Sequence, residues 1–158
     1  MPVSRYQITL SSPDETAALA ERLAAVLAAG DVILLSGGIG AGKTHFARAL
    51  IQSLQDIPED VPSPTFTLVQ VYDTRAGELW HSDLYRLSHP DEVVELGLLE
   101  AFETAICLVE WPDRLGDLTP PGALHLGFAL TETKGIRILE LTGDAAQWES
   151  RLEGIVDV

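Results

Sequence analysis

Apolar and polar residues along the chain alternate with two different periods, and the switches between them mark out the elements. Residues 4–10 alternate with a period of two, which predicts a short strand. Leu19, Leu23, Val26 and Leu27 form a helical stripe, so 14–28 reads as a helix, with Ser12 or Asp14 available to cap it and Gly30 to end it. Val32 to Leu35 is an unbroken apolar run, the pattern of a strand buried on both faces. A second helical stripe, Phe46, Ala47, Leu50, Ile51 and Leu54, predicts a helix over 43–54. After a polar loop at 55–64 with three prolines, strands at 67–73 and 78–84 are joined by the turn Thr74-Arg75-Ala76-Gly77. Short helices are expected at 89–96 and 98–103, and a buried strand at 105–110. Strands at 123–131 and 135–142 pair across Glu132-Thr133-Lys134, and a helix at 144–153 follows. Helices interleaved with strands, some of them in hairpins, predict a three-layer α/β domain with a mixed parallel and antiparallel sheet. We expect one domain over 1–158, since there is no repeat, low-complexity tract or long linker.

Between the buried strand and the second helix lies Ser36-Gly37-Gly38-Ile39-Gly40-Ala41-Gly42-Lys43-Thr44. Gly37, Gly42, Lys43 and Thr44 complete the pattern G-x-x-x-x-G-K-[ST], in the setting it requires, a strand before and a helix after. Glycines let successive backbone N–H groups turn toward phosphate oxygens. The helix start adds free N–H groups and the positive end of its dipole. Lys43 can reach the β and γ phosphates, and the Thr44 hydroxyl can ligate Mg²⁺. The alternative is a glycine-rich strand-to-helix turn without a ligand, but average residue usage makes a chance match of this length rare. Lys43 is one of only two lysines, against eight arginines.

A nucleotide loop needs acidic partners. Asp83 and Glu110 each end a predicted strand, where an open α/β sheet places its ligand crevice. Either could hold magnesium, directly or through water, and either could orient an attacking water or hydroxyl. Each could equally be a strand-end turn residue. Thr65, in Ser63-Pro64-Thr65-Phe66-Thr67, sits where a γ-phosphate switch would lie, or else in a capped turn. Trp111 could cover the site or fill the core. His45 and His81 read as packing or surface residues rather than catalysts, and Arg86, which could contact phosphate, reads rather as an exposed ion-paired side chain.

Composition narrows the surroundings. The net charge of −14 argues against a surface that tracks a phosphate backbone unaided, and leaves room for a basic protein partner. No apolar run approaches the roughly 18–20 residues of a membrane span, and the N-terminus lacks the apolar core of a signal peptide. A cytoplasmic protein with no membrane association is expected. The single cysteine, Cys107, lies in an apolar run and reads as a buried thiol.

Four motifs together, S-G-G-I-G-A-G-K-T, S-P-T-F-T-L-V (63–69), H-S-D-L-Y-R-L (81–87) and L-V-E-W-P (108–112), resemble the TsaE (YjeE) family in content and order. The resemblance implies a bacterial P-loop ATPase that binds ATP and ADP with Mg²⁺. It would be needed to make threonylcarbamoyladenosine in tRNA, acting with TsaD and TsaB and touching tRNA only through them. Its hydrolysis would reset the TsaD–TsaB complex between turnovers. Carried over by position, Gly38, Ile39, Gly40, Ala41, Gly42, Lys43, Thr44 and His45 form the phosphate loop. Thr44, Glu110 and Asp83 belong to the magnesium shell. Glu110, Asp83, Lys43 and Thr65 serve catalysis, and Trp111 lies near the nucleotide. Glu15 and Thr16 resemble the family's adenine-side pair. The chain departs from the family's usual Asp at Gly38, Thr at His45 and Phe at Ser82. Two other functions fit a phosphate loop: a small-molecule kinase, which would normally show an arginine-rich lid, and a nucleotide-gated binding module with negligible turnover.

Overall fold

The computed structural model describes residues 2–38 and 40–156. In chain order the elements are β1 (Val3–Leu10), α1 (Pro13–Ala24), β2 (Val32–Gly37), α2 (Lys43–Ser53), β3 (Val69–Thr74) and β4 (Gly77–Asp83). They continue with α3 (Asp91–Glu95), α4 (Leu98–Thr104), β5 (Ile106–Glu110), a 3-10 helix (Pro112–Leu118), β6 (Leu124–Leu130), β7 (Arg137–Asp144) and α5 (Ala145–Val156). The strands form one sheet in the order β1-β7-β6-β2-β5-β4-β3. β2 is paired parallel with both β5 and β6, and β5 parallel with β4. β3, β7 and β1 add antiparallel ladders outside this parallel centre. The expected three-layer, mixed-sheet architecture is the observed one.

The Val32–Leu35 part of β2 is apolar because both its faces are covered. Ile33 and Leu35 join Phe46, Leu50, Leu19 and Leu23 under α1 and α2. Val32 and Leu34 join Leu98, Val109 and Leu115 under α4 and the 3-10 helix. Each such aliphatic side chain, once fully buried, contributes about 1.5–3 kcal/mol. Trp148 of α5 closes the first layer, its indole N–H donating to the Gly122 carbonyl at 2.9 Å.

Two expectations are corrected by tertiary contacts. Helix α1 stops at Ala24 rather than 28. Beyond it the amides of Val26 and Leu27 reach back three residues, to Leu23 and Ala24. The Ala28 amide goes to the Asp31 carboxylate at 2.8 Å, and the Val26 carbonyl accepts from Arg151 at 3.2 Å. Those partners replace the helical ladder. β3 begins at Val69 rather than 67, because residues 64–67 are wound into turns that end on Leu68 with φ +67°. The 3-10 helix at 112–118 fills a stretch to which the sequence reading assigns no element.

Candidate nucleotide site

The parallel strands β2, β4 and β5 end at one edge of the sheet, and their last residues bring the predicted groups together. The cross-strand register sets Asp83 beside Glu110 and Leu35 beside Glu110. Side chains two apart on a strand share a face, so Asp83 and His81 of β4 and Glu110 of β5 all point to the α2 side.

The glycine loop leaves β2 at Gly37 and enters α2 at Gly42, whose φ of +107° belongs to the left-handed region that glycine tolerates. The Gly40 carbonyl accepts from Arg137 of β7 at 3.1 Å, tying the loop to the antiparallel part of the sheet. Ile39, predicted as part of the loop, lies outside the described residues. The predicted loop residues that the structure describes (Gly38, Gly40 to His45) line one cavity of about 340 Å³ with Thr65, Asp83, Glu110 and Trp111. Three chemistries meet there: backbone N–H groups at the start of an 11-residue helix, one ammonium and two carboxylates.

Lys43 is buried, at 5% exposure. Its Nζ donates to the Gly37 carbonyl at 2.5 Å and lies 3.8 Å from the centre of the Trp111 ring. Burial pushes its pKa down, while Glu110, Asp83 and Asp113 pull it back up. Trp111 is held by φ +58°, its amide on the Leu35 carbonyl at 3.3 Å and its ring 4.8 Å from that of Tyr85. A non-glycine residue in this conformation is strained and persists where its surroundings over-determine it.

Both carboxylates are fixed. Glu110, 2% exposed, accepts from the Thr44 hydroxyl at 2.9 Å on Oε1. Its Oε2 lies 2.7 Å from His81 Nε2. Asp83 accepts the Thr65 hydroxyl at 3.2 Å on Oδ2 and the Tyr85 amide at 3.0 Å on Oδ1. Thr65 in turn is 2.8 Å from the Ser63 hydroxyl. A chain of side chains thus runs from the Ser63–Thr67 segment to the strand end.

Other predicted residues sit elsewhere. Glu15 is engaged in capping α1: it accepts the Ser11 amide at 2.9 Å, while the Ser12 hydroxyl accepts the Glu15 amide. Thr16 is buried and donates to the Ser12 carbonyl. Neither lines the cavity, although His45, which does, lies 3.0 Å from the Pro13 carbonyl at the start of the same helix. Arg86 is exposed and stacks at 4.5 Å on Phe66, and among the described residues it pairs with no acid. His81 is the residue the sequence reading undervalued. It is fully buried, yet it bonds to the site's carboxylate rather than only filling the core. Among the described residues no group of three or more His, Cys, Asp or Glu side chains forms a protein-only metal cage.

Comparison with known proteins bears on the family of the whole chain. Residues 10–138 match the model of a family described as threonylcarbamoyl adenosine biosynthesis protein TsaE. The tRNA threonylcarbamoyladenosine biosynthesis protein TsaE of Rickettsia bellii is 36% identical over 84% of this chain and 92% of its own. Its namesake from Bacillus subtilis is 40% identical over 73% of this chain and 72% of its own. The crystal structure of Bacillus subtilis YdiB superposes with a TM-score of 0.80 at 30% identity, covering 98% of this chain and 96% of that one. In fold and in similarity along most of its length, the chain belongs to the TsaE family.

Proposed function

We propose that this protein binds and hydrolyses ATP in the service of tRNA threonylcarbamoyladenosine formation. One observation carries the reading most directly: the loop threonine, Thr44, donates its hydroxyl proton to a strand-end carboxylate, Glu110, at the mouth of a glycine loop. With its proton committed, that hydroxyl keeps its lone pairs for a cation. Thr44, Glu110 and Asp83 are all oxygen donors, the set a hard ion such as Mg²⁺ prefers. Too few to enclose an ion, they leave room for phosphate oxygens and water, so the residues present fit magnesium. When bound, it would neutralise charge on the phosphates.

In the reaction, a water oxygen forms a bond to the γ-phosphorus and the bond to the β–γ bridging oxygen breaks. ADP, inorganic phosphate and a proton leave. Backbone amides of the loop and Lys43 receive the phosphate charge. Lys43 is already desolvated, which strengthens its attraction to an anion. Asp83 and Glu110 are the two acceptors near the cavity able to orient the water. Thr65, tied to Asp83, links the acceptor to an exposed segment that a partner can reach.

The names of the relatives supply the pathway. In this reading the protein works with TsaD and TsaB, which handle the tRNA, and its turnover resets their complex in the cytoplasm. The −14 net charge and the lack, among the described residues, of a helix able to cross a membrane are compatible with that role. The test is reconstituted threonylcarbamoylation of tRNA with TsaD, TsaB and the enzyme supplying threonylcarbamoyl-adenylate, with phosphate release measured alongside. Multiple turnovers that need this protein, ATP and an intact Glu110 are expected. Turnover unchanged by its addition would overturn the reading. A phosphorylated small molecule in place of free phosphate would make the protein a kinase.

A further inference from the structure

His81 lies outside the cavity lining and meets Glu110, which lines it, through Nε2. It pairs in register with Leu108, one step deeper in the sheet than the Asp83–Glu110 pair. A carboxylate only accepts hydrogen bonds, so His81 Nε2 is the donor and carries the hydrogen. Its other ring nitrogen, Nδ1, is buried without a hydrogen-bond partner among the described residues. The imidazole therefore spends its polar capacity on one oxygen of one side chain. Burying such a ring with a nitrogen unpaired is unfavourable, and an aliphatic residue would suit the same position better if packing were all it did.

We propose that His81 is a positioning residue for Glu110. This rests on the ATP-hydrolysing reading given above. Its N–H holds Oε2 against the core side, so that only Oε1 is presented to Thr44 and the cavity. Without that hold the carboxylate has a competing attraction in the same cavity, the buried Lys43 ammonium. Among the described residues Lys43 forms no ion pair with Glu110; its Nζ rests on the Gly37 carbonyl and the Trp111 ring. His81 thereby keeps the acid and the ammonium apart, each free for its own partner. It does not line the cavity itself.

His81→Leu removes the donor at similar volume, and His81→Gln returns an N–H donor near the position of Nε2. For His81→Leu, kcat of ATP hydrolysis is expected to fall about 10- to 100-fold, the usual effect of losing a hydrogen bond that orients a site carboxylate. ATP affinity should weaken by a clearly smaller factor than kcat does, because Lys43 is only partly diverted from the phosphates. His81→Gln should recover most of the lost kcat. A merely structural histidine would not give that split or that rescue. Should His81→Leu not fold, His81→Met serves as the donorless variant, since methionine adapts to irregular space. Crystal structures of the variants read the same point without turnover: Glu110 leaves Thr44 in the donorless variant and keeps it in His81→Gln. Unchanged kcat in the donorless variant, equal damage in both variants, or an unmoved Glu110 would each overturn the proposal. A wild-type protein that hydrolyses no ATP would instead overturn the hydrolase reading, and the Glu110 position in the crystals would still decide this one.

Discussion

Gly37→Ala is the substitution for which the structure gives the most definite cost. A Cβ at Gly37 would stand 2.5 Å from the Phe128 carbonyl oxygen and 3.2 Å from the Phe128 Cβ. Real Cβ atoms essentially never come closer than 3.0 Å, so something must move by at least 0.5 Å. What must move is backbone: Gly37 and Phe128 are partners in the parallel ladder between β2 and β6. Overpacking of this kind costs about 1–3 kcal/mol. The φ of +142° adds about 1–2 kcal/mol of torsional strain for an alanine. Together that is about 2–5 kcal/mol, a large share of the 5–15 kcal/mol typical of a folded domain. At roughly 2–4 °C per kcal/mol for a chain of this size, Tm should fall by about 4–20 °C. The Gly37 carbonyl also holds Lys43, so nucleotide affinity should weaken by roughly tenfold or more, about 1.4 kcal/mol. The other loop glycines make the controls. Gly42 has open space but φ +107°, so Gly42→Ala should cost only the torsional part, about 1–2 kcal/mol. Gly38 has open space and no positive φ, so Gly38→Ala should stay within about 0.5 kcal/mol. Thermal melts and nucleotide titrations of the three variants test the order. The reasoning fails if Gly38→Ala loses as much as Gly37→Ala, or if Gly37→Ala melts with the wild type.

Lys43→Ala should abolish detectable ATP binding by calorimetry, whereas Glu110→Gln should bind ATP and lose most hydrolysis; the reverse pattern would exchange their assigned roles. Burial pushes the Cys107 thiol from its usual 9.0 up to about 12, so a thiol reagent at pH 7.5 should label it only after denaturation. The same shift has a stability sign: the unfolded thiol ionises first, so stability present below about pH 9 should decline by about 1.4 kcal/mol per pH unit as pH rises toward 12. Urea titrations should show a steeper loss with pH in the wild type than in Cys107→Ala, where the Tyr72 hydroxyl, also pushed up by burial, still contributes. Arg151 meets the nearly buried Asp31 at 2.7 and 3.3 Å, so Arg151→Met should cost about 1–3 kcal/mol by leaving that carboxylate unpaired, read from the urea midpoint.

What could be read from the sequence was local. The β2 run, the glycine loop, the α2 stripe and the strand-end acids Asp83 and Glu110 each follow from a few adjacent residues. What could not be read was relational. His81 bonds to Glu110 because β4 and β5 are neighbours in a particular register, and strand order is not written in either segment. The one available signal was that His81 and Asp83 are two apart and so share a face. The end of α1 was misplaced because Asp31 and Arg151, the latter more than a hundred residues away, take the polar groups that would have continued the helix. The spending of Glu15 on a cap was legible in Ser12-Pro13-Asp14-Glu15, a capping-box spacing. Pro112 after Trp111 likewise marks a helix start that went unassigned.

The sheet order also bears on how the protein comes to exist. β1, made before the other six strands of this sheet, has β7 as its one strand neighbour among the described residues, and β7 ends at Asp144. β2, which roots the nucleotide loop, lacks both ladders until β5 and β6 have been synthesised. The chain must therefore close long loops before its central contacts are rewarded, which slows folding relative to a chain with local pairings. A ribosome-bound fragment that stops before β5 carries the whole glycine motif and no Glu110 beside it. Nucleotide protection should consequently appear late and all at once as the chain lengthens, rather than when Lys43 and Thr44 first emerge.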